Sequence, residues 1–587
     1  MRILALHPED DCESGPWSGQ KWARITDLGL GGEETYDRWR RKFHCEVVPL
    51  TSYRNGLAEI TRVRDLLAKG RGRLVDQDGL DWWELTQFLL HPKLETLVLL
   101  GKLAETLRPD DELHISRPGF DADALRILLG KRVHTFARSD LRSRRLTHYL
   151  RLGARFPMWQ LVQIFWDKYD PGYGIRGRFA RKPRPSRAPV VLVPTAYVNV
   201  TRTALAYAKC TPDLHFLLVA TRKSGWPSSL LQNAKASWLS SYASSGQGSR
   251  ADDSEEILAA WKRLRPELEA VPEISLLGNL GLLEAFPAWI RQGIRQRDAW
   301  QAVLRDEPVQ AVLCADDSNP STRIPVLLAN KLGLPTVVCH HGALDGRYMI
   351  KQNHADVVLA KGRMEADYLT RVCGVPAEEV EIGAPVGENL QAYPGTRDHS
   401  KILLFSELYE AFAGRPSAVY RDLLPPLVEL AIGYGKKLVV KLHPAESEHE
   451  RRNLIAGILS PEQRQCVTVA TGPTTAELLR QAWFGITVLS TVATECAQLG
   501  IPCFLCRWVE FWPYGYIDQF IRFGAGHGLK SPSEIINIPR ILEAHKTGPN
   551  VARDLWQPIA PGRLEQLLTA RSTMPIAASQ RTMGRVG

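Results

Sequence analysis

The sequence lacks most of the features that would place it in a membrane, secreted or metal-binding class. No apolar run in its 587 residues reaches the ~18 residues that span a bilayer. The opening MRILALHPEDD has neither the basic start nor the long apolar stretch of a secretory signal. Cysteine is scarce, and the pair Cys503 and Cys506 has no partner pair at zinc spacing. We therefore expect a cytoplasmic protein with no metal site.

A dinucleotide-binding fingerprint is also missing. The glycines of LGLGGEE, around Gly29–Gly32, are not in a G-x-G-x-x-G frame, and we expect no strand directly before them. The sequence therefore predicts no bound cofactor. Apolar residues make up 44% and charged residues 24% of the chain, as in ordinary globular proteins, and the length favours two or three domains.

Positive charge is concentrated in one segment. Residues 142–187 hold twelve Lys and Arg against two Asp, a difference equal to the net charge of +10 of the whole chain. Trp, Tyr and Phe are interleaved with the basic residues. This mixture is typical of an anionic membrane surface or of a solvated insertion with its aromatic rings packed inward, and less so of nucleic-acid binding. We expect either an inserted solvated segment or peripheral attachment to the inner face of the cell membrane.

Short apolar runs alternate with helix-length segments along most of the chain. Runs at Val190, His215, Ile274, Val309, Pro335 and Asp356 precede a Gly- and Pro-rich break at 381–398, and runs at Lys401, Lys437, Cys466, Phe484 and Pro502 follow it. Continuous apolar strands alternating with helices are typical of parallel sheets covered on both faces. The fold class predicted is α/β with two Rossmann-like lobes whose sheets face a cleft. The predicted lobes are residues 1–385 and 390–570, joined by a hinge, with a tail at 571–587.

The second predicted lobe has polar residues where two strands end. The stretch KLVVKLHPAE ends its strand on His443 and Pro444, and a later strand ends at Ser490 and Thr491 before a helix that carries Glu495. Ligands bind beyond the carboxyl ends of strands in such sheets, and a helix start with hydroxyls binds anions. The alternatives are a core histidine, plain helix capping and a solvated glutamate.

The first predicted lobe shows the same pattern. One strand is followed by Asp316, Asp317 and Ser318, and the next by His340, His341 and Gly342. An imidazole at this edge is placed for general-base chemistry near neutral pH, and glycine allows a close approach by a ligand. Two adjacent histidines point to opposite faces if the backbone is extended. We therefore select His341 as the base and expect the other residues to line the cleft.

These motifs resemble those of the GT-B glycosyltransferases of bacterial surface-polysaccharide synthesis. More narrowly, residues 309–510 are similar to the CDP-glycerol glycerophosphotransferase, capsule polymerase and bacterial sialyltransferase clan. The resemblance implies that His443-Pro444 and Ser490-Thr491 hold the phosphates of the donor, that Glu495 contacts its ribose, and that His341 before Gly342 is the catalytic base. The chain departs from this pattern at His340, where the glycerophosphotransferases have Trp.

The function implied is metal-independent transfer of a sugar from a nucleotide-activated donor to a surface-glycan or lipid-linked acceptor. A UDP-N-acetylglucosamine 2-epimerase-like enzyme and a polyol-phosphate transferase are alternatives on the same fold. A membrane-associated nucleotide-binding module is the non-enzymatic alternative. The expected partners are a nucleotide sugar, the acceptor and an anionic membrane surface reached through residues 142–187.

Overall fold

The computed structural model describes most of the chain. The residues outside its description are 9, 30–32, 55–56, 137–183, 243–250, 343, 345–346, 386–397, 408, 410–415, 445, 473, 510–514, 545–553 and 571–587. Nearly all of the basic segment 142–187, most of the predicted hinge and the predicted tail therefore lie outside the described residues. Among the helices described, none combines the length and the apolar character needed to cross a bilayer.

The chain forms two compact units, and neither is continuous in sequence. The split unit consists of residues 1–63, 93–140 and 389–556, and the central unit of residues 64–92, 141–388 and 557–587. The second segment of the central unit runs to residue 388, and the predicted lobe boundary near residue 390 stays a prediction. The prediction of one lobe from residue 1 to 385 differs from the structure, because that span contains two separate sheets.

The first of these is the N-terminal sheet of the split unit. Its strands are β1 (Arg2–Leu6), β2 (Arg24–Asp27), β3 (Glu46–Pro49), β4 (Glu112–Ile115) and β5 (Val133–Thr135), in the order β3-β2-β1-β4-β5. The helices in this part of the chain are α1 (Glu33–Phe43), α2 (Ala58–Ala68), α3 (Trp82–Thr106) and α4 (Phe120–Leu129). One face of the sheet packs Leu4, Leu6 and Ile25 against Trp39 and Phe43 of α1, so an apolar core covers the middle of that face.

The central sheet belongs to the central unit. Its strands are β6 (Val190–Thr195), β7 (His215–Ala220), β8 (Ala234–Trp238), β9 (Val309–Cys314), β10 (Thr336–Val338), β11 (Val357–Ala360) and β12 (Val380–Ile382), in the order β12-β11-β10-β9-β6-β7-β8. The helices are α5 (Val198–Ala208), α6 (Ala251–Glu269), α7 (Pro272–Asn279), α8 (Phe286–Asp306), α9 (Pro320–Lys331) and α10 (Arg363–Asp367).

The apolar run at Ile274 is a helix, which makes its interpretation as a strand wrong. It lies in α7, with Pro272 in the first turn. A proline at a helix start costs no hydrogen bond, and a short apolar run does not by itself distinguish a strand from a buried helix.

The end of the chain returns to the central unit. The N–H of Gln557 donates to the carbonyl of Lys361 at 2.7 Å, and a final helix, α18 (Arg563–Thr569), follows. Leu564 and Leu568 of this helix are buried in the same core cluster as Leu313 of β9. Residues 557–570 therefore complete the central core, although we predicted them to be part of the second lobe.

The C-terminal sheet belongs to the split unit. Its strands are β13 (Lys401–Phe405), β14 (Lys437–Lys441), β15 (Val467–Ala470), β16 (Ala482–Thr487), β17 (Cys503–Cys506) and β18 (His527–Leu529), in the order β15-β14-β13-β16-β17-β18. The helices are α11 (Pro416–Gly433), α12 (Glu448–Ile458), α13 (Pro461–Arg464), α14 (Ala476–Arg480), α15 (Val492–Gln498), α16 (Tyr516–Arg522) and α17 (Ile538–Ala544).

The strands run parallel within each of the three sheets, and the three sheets share the same strand order. In each, the chain moves outward from the first strand to the third, then crosses back so that the fourth strand pairs with the first. This is the Rossmann order, and it confirms the predicted α/β class of doubly wound parallel sheets. The order reverses between β1 and β4, between β6 and β9, and between β13 and β16. The rule for open α/β sheets places ligands beyond the carboxyl ends of strands at such reversals.

Candidate active site

The central sheet brings its predicted residues together at the carboxyl ends of β9 and β10, which are neighbours. After β9 the chain turns at Asp316, whose carboxylate accepts the N–H of Ser318 at 2.8 Å. Asn319 then caps α9, with its side-chain oxygen accepting the N–H of Thr322 at 3.2 Å. These local bonds fix the Asp316 side chain at the edge of the sheet.

Asp316 and His341 face each other in this site. The distance from Asp316 Oδ2 to His341 Nδ1 is 3.8 Å, longer than a hydrogen bond. Burial works to raise the pKa of Asp316, but His341, His340 and Arg347 outweigh it and lower that pKa to about 2. Burial lowers the pKa of His341 to about 4, with Asp316 opposing the change. At neutral pH the pair is therefore an ionised carboxylate beside a neutral imidazole.

His340 lies on the same side as His341, contrary to the expectation for an extended backbone. Their rings stack with centroids 5.1 Å apart and planes inclined by 23°. The strand ends at Val338, so the alternation of a strand no longer applies at these positions. Nδ1 of His340 lies 3.0 Å from the carbonyl oxygen of Gly342, which orients the ring.

Among the described residues of this unit, Asp316, His340 and His341 also form a group that could hold a metal ion. One ligand atom from each lies within 4.8 Å of the others. Imidazole and carboxylate donors suit zinc and related ions. The absence of a metal site therefore stays a prediction. An experiment on metal dependence would test these three residues as the ligands.

Asp317 has a structural role, in contrast with its predicted place lining a cleft. Its side chain is buried, accepts a bond from Arg323 at 2.7 Å, and pairs with Lys351. Arg323 also binds Glu84 in the first turn of α3. Burial opposes ionisation of Asp317, but the two cations outweigh it and lower its pKa. This network ties the end of β9 to α3 and α9.

Ser318 and Gly342 complete this edge. The Ser318 hydroxyl is buried and has no hydrogen-bond partner among the residues that the structure describes. A Cβ added at Gly342 would meet no described atom within 4 Å. The backbone of Gly342 therefore faces open space, consistent with a ligand approaching there.

In the C-terminal sheet, β14 ends before His443, and a carboxylate fixes the turn. The N–H of His443 donates to Glu446 Oε2 at 2.7 Å, and Arg451 donates to Glu446 Oε1 at 2.6 Å. Ser406, after β13, donates to the same Oε1 at 2.8 Å. Pro444 is exposed. Glu446 was not among the predicted residues, yet it sets the backbone position of His443.

The predicted hydroxyls lie after β16, as expected. The Ser490 hydroxyl accepts the N–H of Val492 at 3.3 Å, so Ser490 provides the cap at the start of α15. Thr491 occupies the N-cap position with helical backbone angles, and its side chain makes no cap bond. Glu495 lies in the first turn and is half-buried. The side chain of Thr491 is therefore not used to start the helix.

Glu407 sits where the order of the C-terminal sheet reverses. It follows β13, and its Oε1 accepts the N–H of Leu489 at 2.6 Å and the hydroxyl of Thr487 at 2.9 Å. Burial raises the pKa of Glu407 to about 7, with a further contribution from Glu446. The strand-end rule that selected His443 would have selected Glu407 if it had been applied to β13.

The turn at His443 has a second copy in the N-terminal sheet. There β1 ends before His7 and Pro8, and the N–H of His7 donates to Asp10 Oδ2 at 2.6 Å. Ser116 donates to the same oxygen at 2.5 Å, and Arg117 lies 3.6 Å from the other oxygen. A carboxylate three residues after the histidine of a His-Pro pair, bound by a serine and beside an arginine, thus occurs at two strand ends.

A strand does precede the glycines at 29–32, which makes the expectation of no strand there wrong. β2 ends at Asp27 and α1 begins at Glu33. Residues 30–32 lie outside the described residues.

The chain matches no known family model and no curated protein. Among solved structures, it is similar to Methanocaldococcus jannaschii UDP-GlcNAc 2-epimerase in complex with UDP-GlcNAc and UDP. The identity is 12%, the match covers 65% of this chain and 99% of that one, and the TM-score is 0.40. For Acinetobacter baumannii MurG the values are 13%, 66%, 100% and 0.34. For a variant of the wall teichoic acid polymerase TagF they are 10%, 72%, 96% and 0.36. TM-scores this low support no inference about chemistry. The assignment of the α/β fold depends on the strand order of the three sheets.

Proposed function

We propose that the chain is a metal-independent glycosyltransferase that moves a sugar from a nucleotide-activated donor to a hydroxyl of a surface-glycan or lipid-linked acceptor. The observation that supports this most is the pair in the central sheet, a neutral His341 beside a buried, ionised Asp316. A neutral imidazole next to a fixed negative charge is suited to accept a proton. The resemblance of the motifs to surface-polysaccharide enzymes supplies the donor and acceptor classes.

In the proposed step, Nε2 of His341 takes the proton of the acceptor hydroxyl. The acceptor oxygen then bonds to the anomeric carbon of the sugar, and the bond from that carbon to the donor phosphate breaks. The nucleoside diphosphate leaves with the electron pair. Asp316 faces Nδ1, so its negative charge favours the tautomer with the proton on Nδ1 and stabilises the imidazolium as it forms.

The donor is assigned to the carboxyl edge of the C-terminal sheet. His443, held by Glu446, and the hydroxyls of Ser490 and Thr491 would contact its phosphates, and Glu495 its ribose. A charged phosphate gains most from hydrogen bonds whose donors are already oriented. The backbone bond to Glu446 orients His443 before any ligand is present.

The test is a product analysis with His341→Ala. We expect wild-type protein, given nucleotide sugars and an acceptor, to release nucleoside diphosphate only when the acceptor is present. His341→Ala should lower kcat by about 10²- to 10⁴-fold, the usual contribution of a general base, while thermal stabilisation by the nucleotide stays unchanged. His215→Ala, at an exposed position at the start of β7, is the matched control and should keep full activity.

Each other outcome identifies a different function. Acceptor-independent change of the sugar at C-2 indicates the epimerase, and release of nucleoside monophosphate with transfer of a polyol phosphate to the acceptor indicates the polyol-phosphate transferase. Nucleotide binding without turnover indicates the binding module. Full transfer by His341→Ala contradicts the assignment of the base, whatever the overall reaction.

A further inference from the structure

The N-terminal sheet carries a group of metal-ligand side chains outside the sites described above. Glu112 and His114 stand two residues apart on β4, so both point to the same face. His134 on β5 is the register partner of His114. One ligand atom from each of the three lies within 4.8 Å of the others. We propose that Glu112, His114 and His134 form a binding site for a divalent transition-metal ion, with Zn²⁺ as the first probe.

The distances fit a single ion. Glu112 Oε2 and His114 Nε2 are 3.3 Å apart. For two ligands at the usual zinc distances of about 2.0–2.2 Å, this separation gives an angle at the metal of about 100°, close to tetrahedral. The bond already present between these two atoms therefore holds them at the separation that joint ligation requires.

His134 completes the set after a small rotation. Its ring stacks on that of His114, with centroids 4.7 Å apart and planes inclined by 25°. Two imidazole nitrogens on a tetrahedral ion are about 3.4 Å apart, and the ligand atoms here lie within 4.8 Å of one another, so the two nitrogens need to approach by at most about 1.4 Å. His134 is exposed at the sheet edge, and rotation of its side chain meets little resistance.

The fold itself does not require these residue types. The opposite face of β4 and β5 is apolar and buried, with Leu113, Ile115 and Val133. On the ligand face, Trp22 and Phe136 pack against His114 at 5.1 and 6.1 Å, and they hold its ring beside the site. Any polar residue would satisfy an exposed position at 112 or 134, whereas two imidazoles and a carboxylate make up a donor set suited to zinc, nickel or copper.

Three protein ligands leave one coordination position open on a four-coordinate ion. Water or a small ligand would occupy it at the surface of the sheet. A bound ion would also join the edge strand β5 to β4, where the parallel pairing covers three residues. The site thus predicts both metal binding and a more stable sheet edge.

The experiment measures Zn²⁺ binding to the metal-stripped full chain by titration calorimetry. We expect His134→Ala to bind one equivalent fewer than wild type, and Glu112→Gln to weaken that equivalent at least tenfold. His215→Ala, the exposed control, should bind as wild type does. Cu²⁺ bound at this site should show nitrogen coupling in its electron paramagnetic resonance spectrum that is reduced in His134→Ala.

Two results overturn the proposal. One is the same number of equivalents, at the same affinity, in wild type and His134→Ala, which would place any bound zinc elsewhere. The other is no zinc binding by the wild-type chain. Because the site is independent of His341 and His443, neither result depends on whether the chain transfers a sugar.

Discussion

Replacing Glu407 with glutamine tests how its buried carboxylate affects the stability of the C-terminal sheet. The hydrogen bonds from Leu489 and Thr487 end on one oxygen of this side chain, Oε1, and the N–H of Val488 also donates to the carboxylate. Glutamine keeps such an oxygen and removes the charge. Glu407→Gln therefore changes the titration of the site while leaving the acceptor for Leu489 and Thr487 in place.

The magnitude follows from the pKa. Burial raises the pKa of Glu407 from its ordinary value of 4.5 to about 7. The folded state then holds a proton that the unfolded chain has lost, so the free energy of unfolding falls as pH rises from about 4.5 to about 7 and is constant above that. At about 1.36 kcal/mol per pKa unit, the penalty at pH 8 is at most about 3 kcal/mol. Partial exposure of the side chain reduces it to about 1–3 kcal/mol.

Urea denaturation at pH 5, 6, 7 and 8, followed by circular dichroism, measures this difference. Glu407→Gln should be about as stable as wild type near pH 5 and more stable by about 1–3 kcal/mol at pH 8. Glu462→Gln is the control, because Glu462 is exposed and its hydrogen bond to Ser460 lowers its pKa. Its stability difference should not grow over this range. A constant difference between Glu407→Gln and wild type would refute the reasoning.

Three further predictions address the other networks. Arg323→Met should lower the free energy of unfolding by about 3–5 kcal/mol, because it removes the buried cation that Glu84 and Asp317 share and leaves Asp317 with Lys351 alone; urea denaturation would contradict this if the loss is under 1 kcal/mol. Glu446→Gln should raise the KM for the donor while kcat changes less, because the turn at His443 loses a charged acceptor; the exposed Glu448→Gln is its control. Treatment with EDTA should leave transfer unchanged, and loss of activity that added metal restores would show that the reaction needs an ion.

The sequence could predict what depends on local pattern. Apolar strands followed by polar residues located Asp316, His341, His443 and Ser490 at carboxyl ends of parallel strands, and the structure has them there. The rule works because strand periodicity and helix starts are encoded within a few residues.

What depends on distant pairing could not be predicted. Asp316 and Asp317 are adjacent and chemically identical, yet only Asp317 meets Arg323, which in turn binds Glu84, 239 residues away. Similarly, the division of the first 385 residues into two sheets depends on which strands pair. The apolar patterns of single strands are alike in the two sheets, so they do not show which strands belong together. Residues 557–570 join the central unit through contacts with β9, and no local sequence pattern predicts these contacts.

The return of the chain end to the central unit has a consequence for synthesis on the ribosome. The strands of the central sheet are complete at Ile382, but Leu564 and Leu568, which fill its core, come about 180 residues later. At a synthesis rate of about 5–20 residues per second, the nascent central sheet lacks its last helix for roughly 10–40 s. During that time the surface of β9 that α18 covers is open to chaperones or to other nascent chains. A ribosome that stops before residue 557 would release a central unit with an apolar face uncovered.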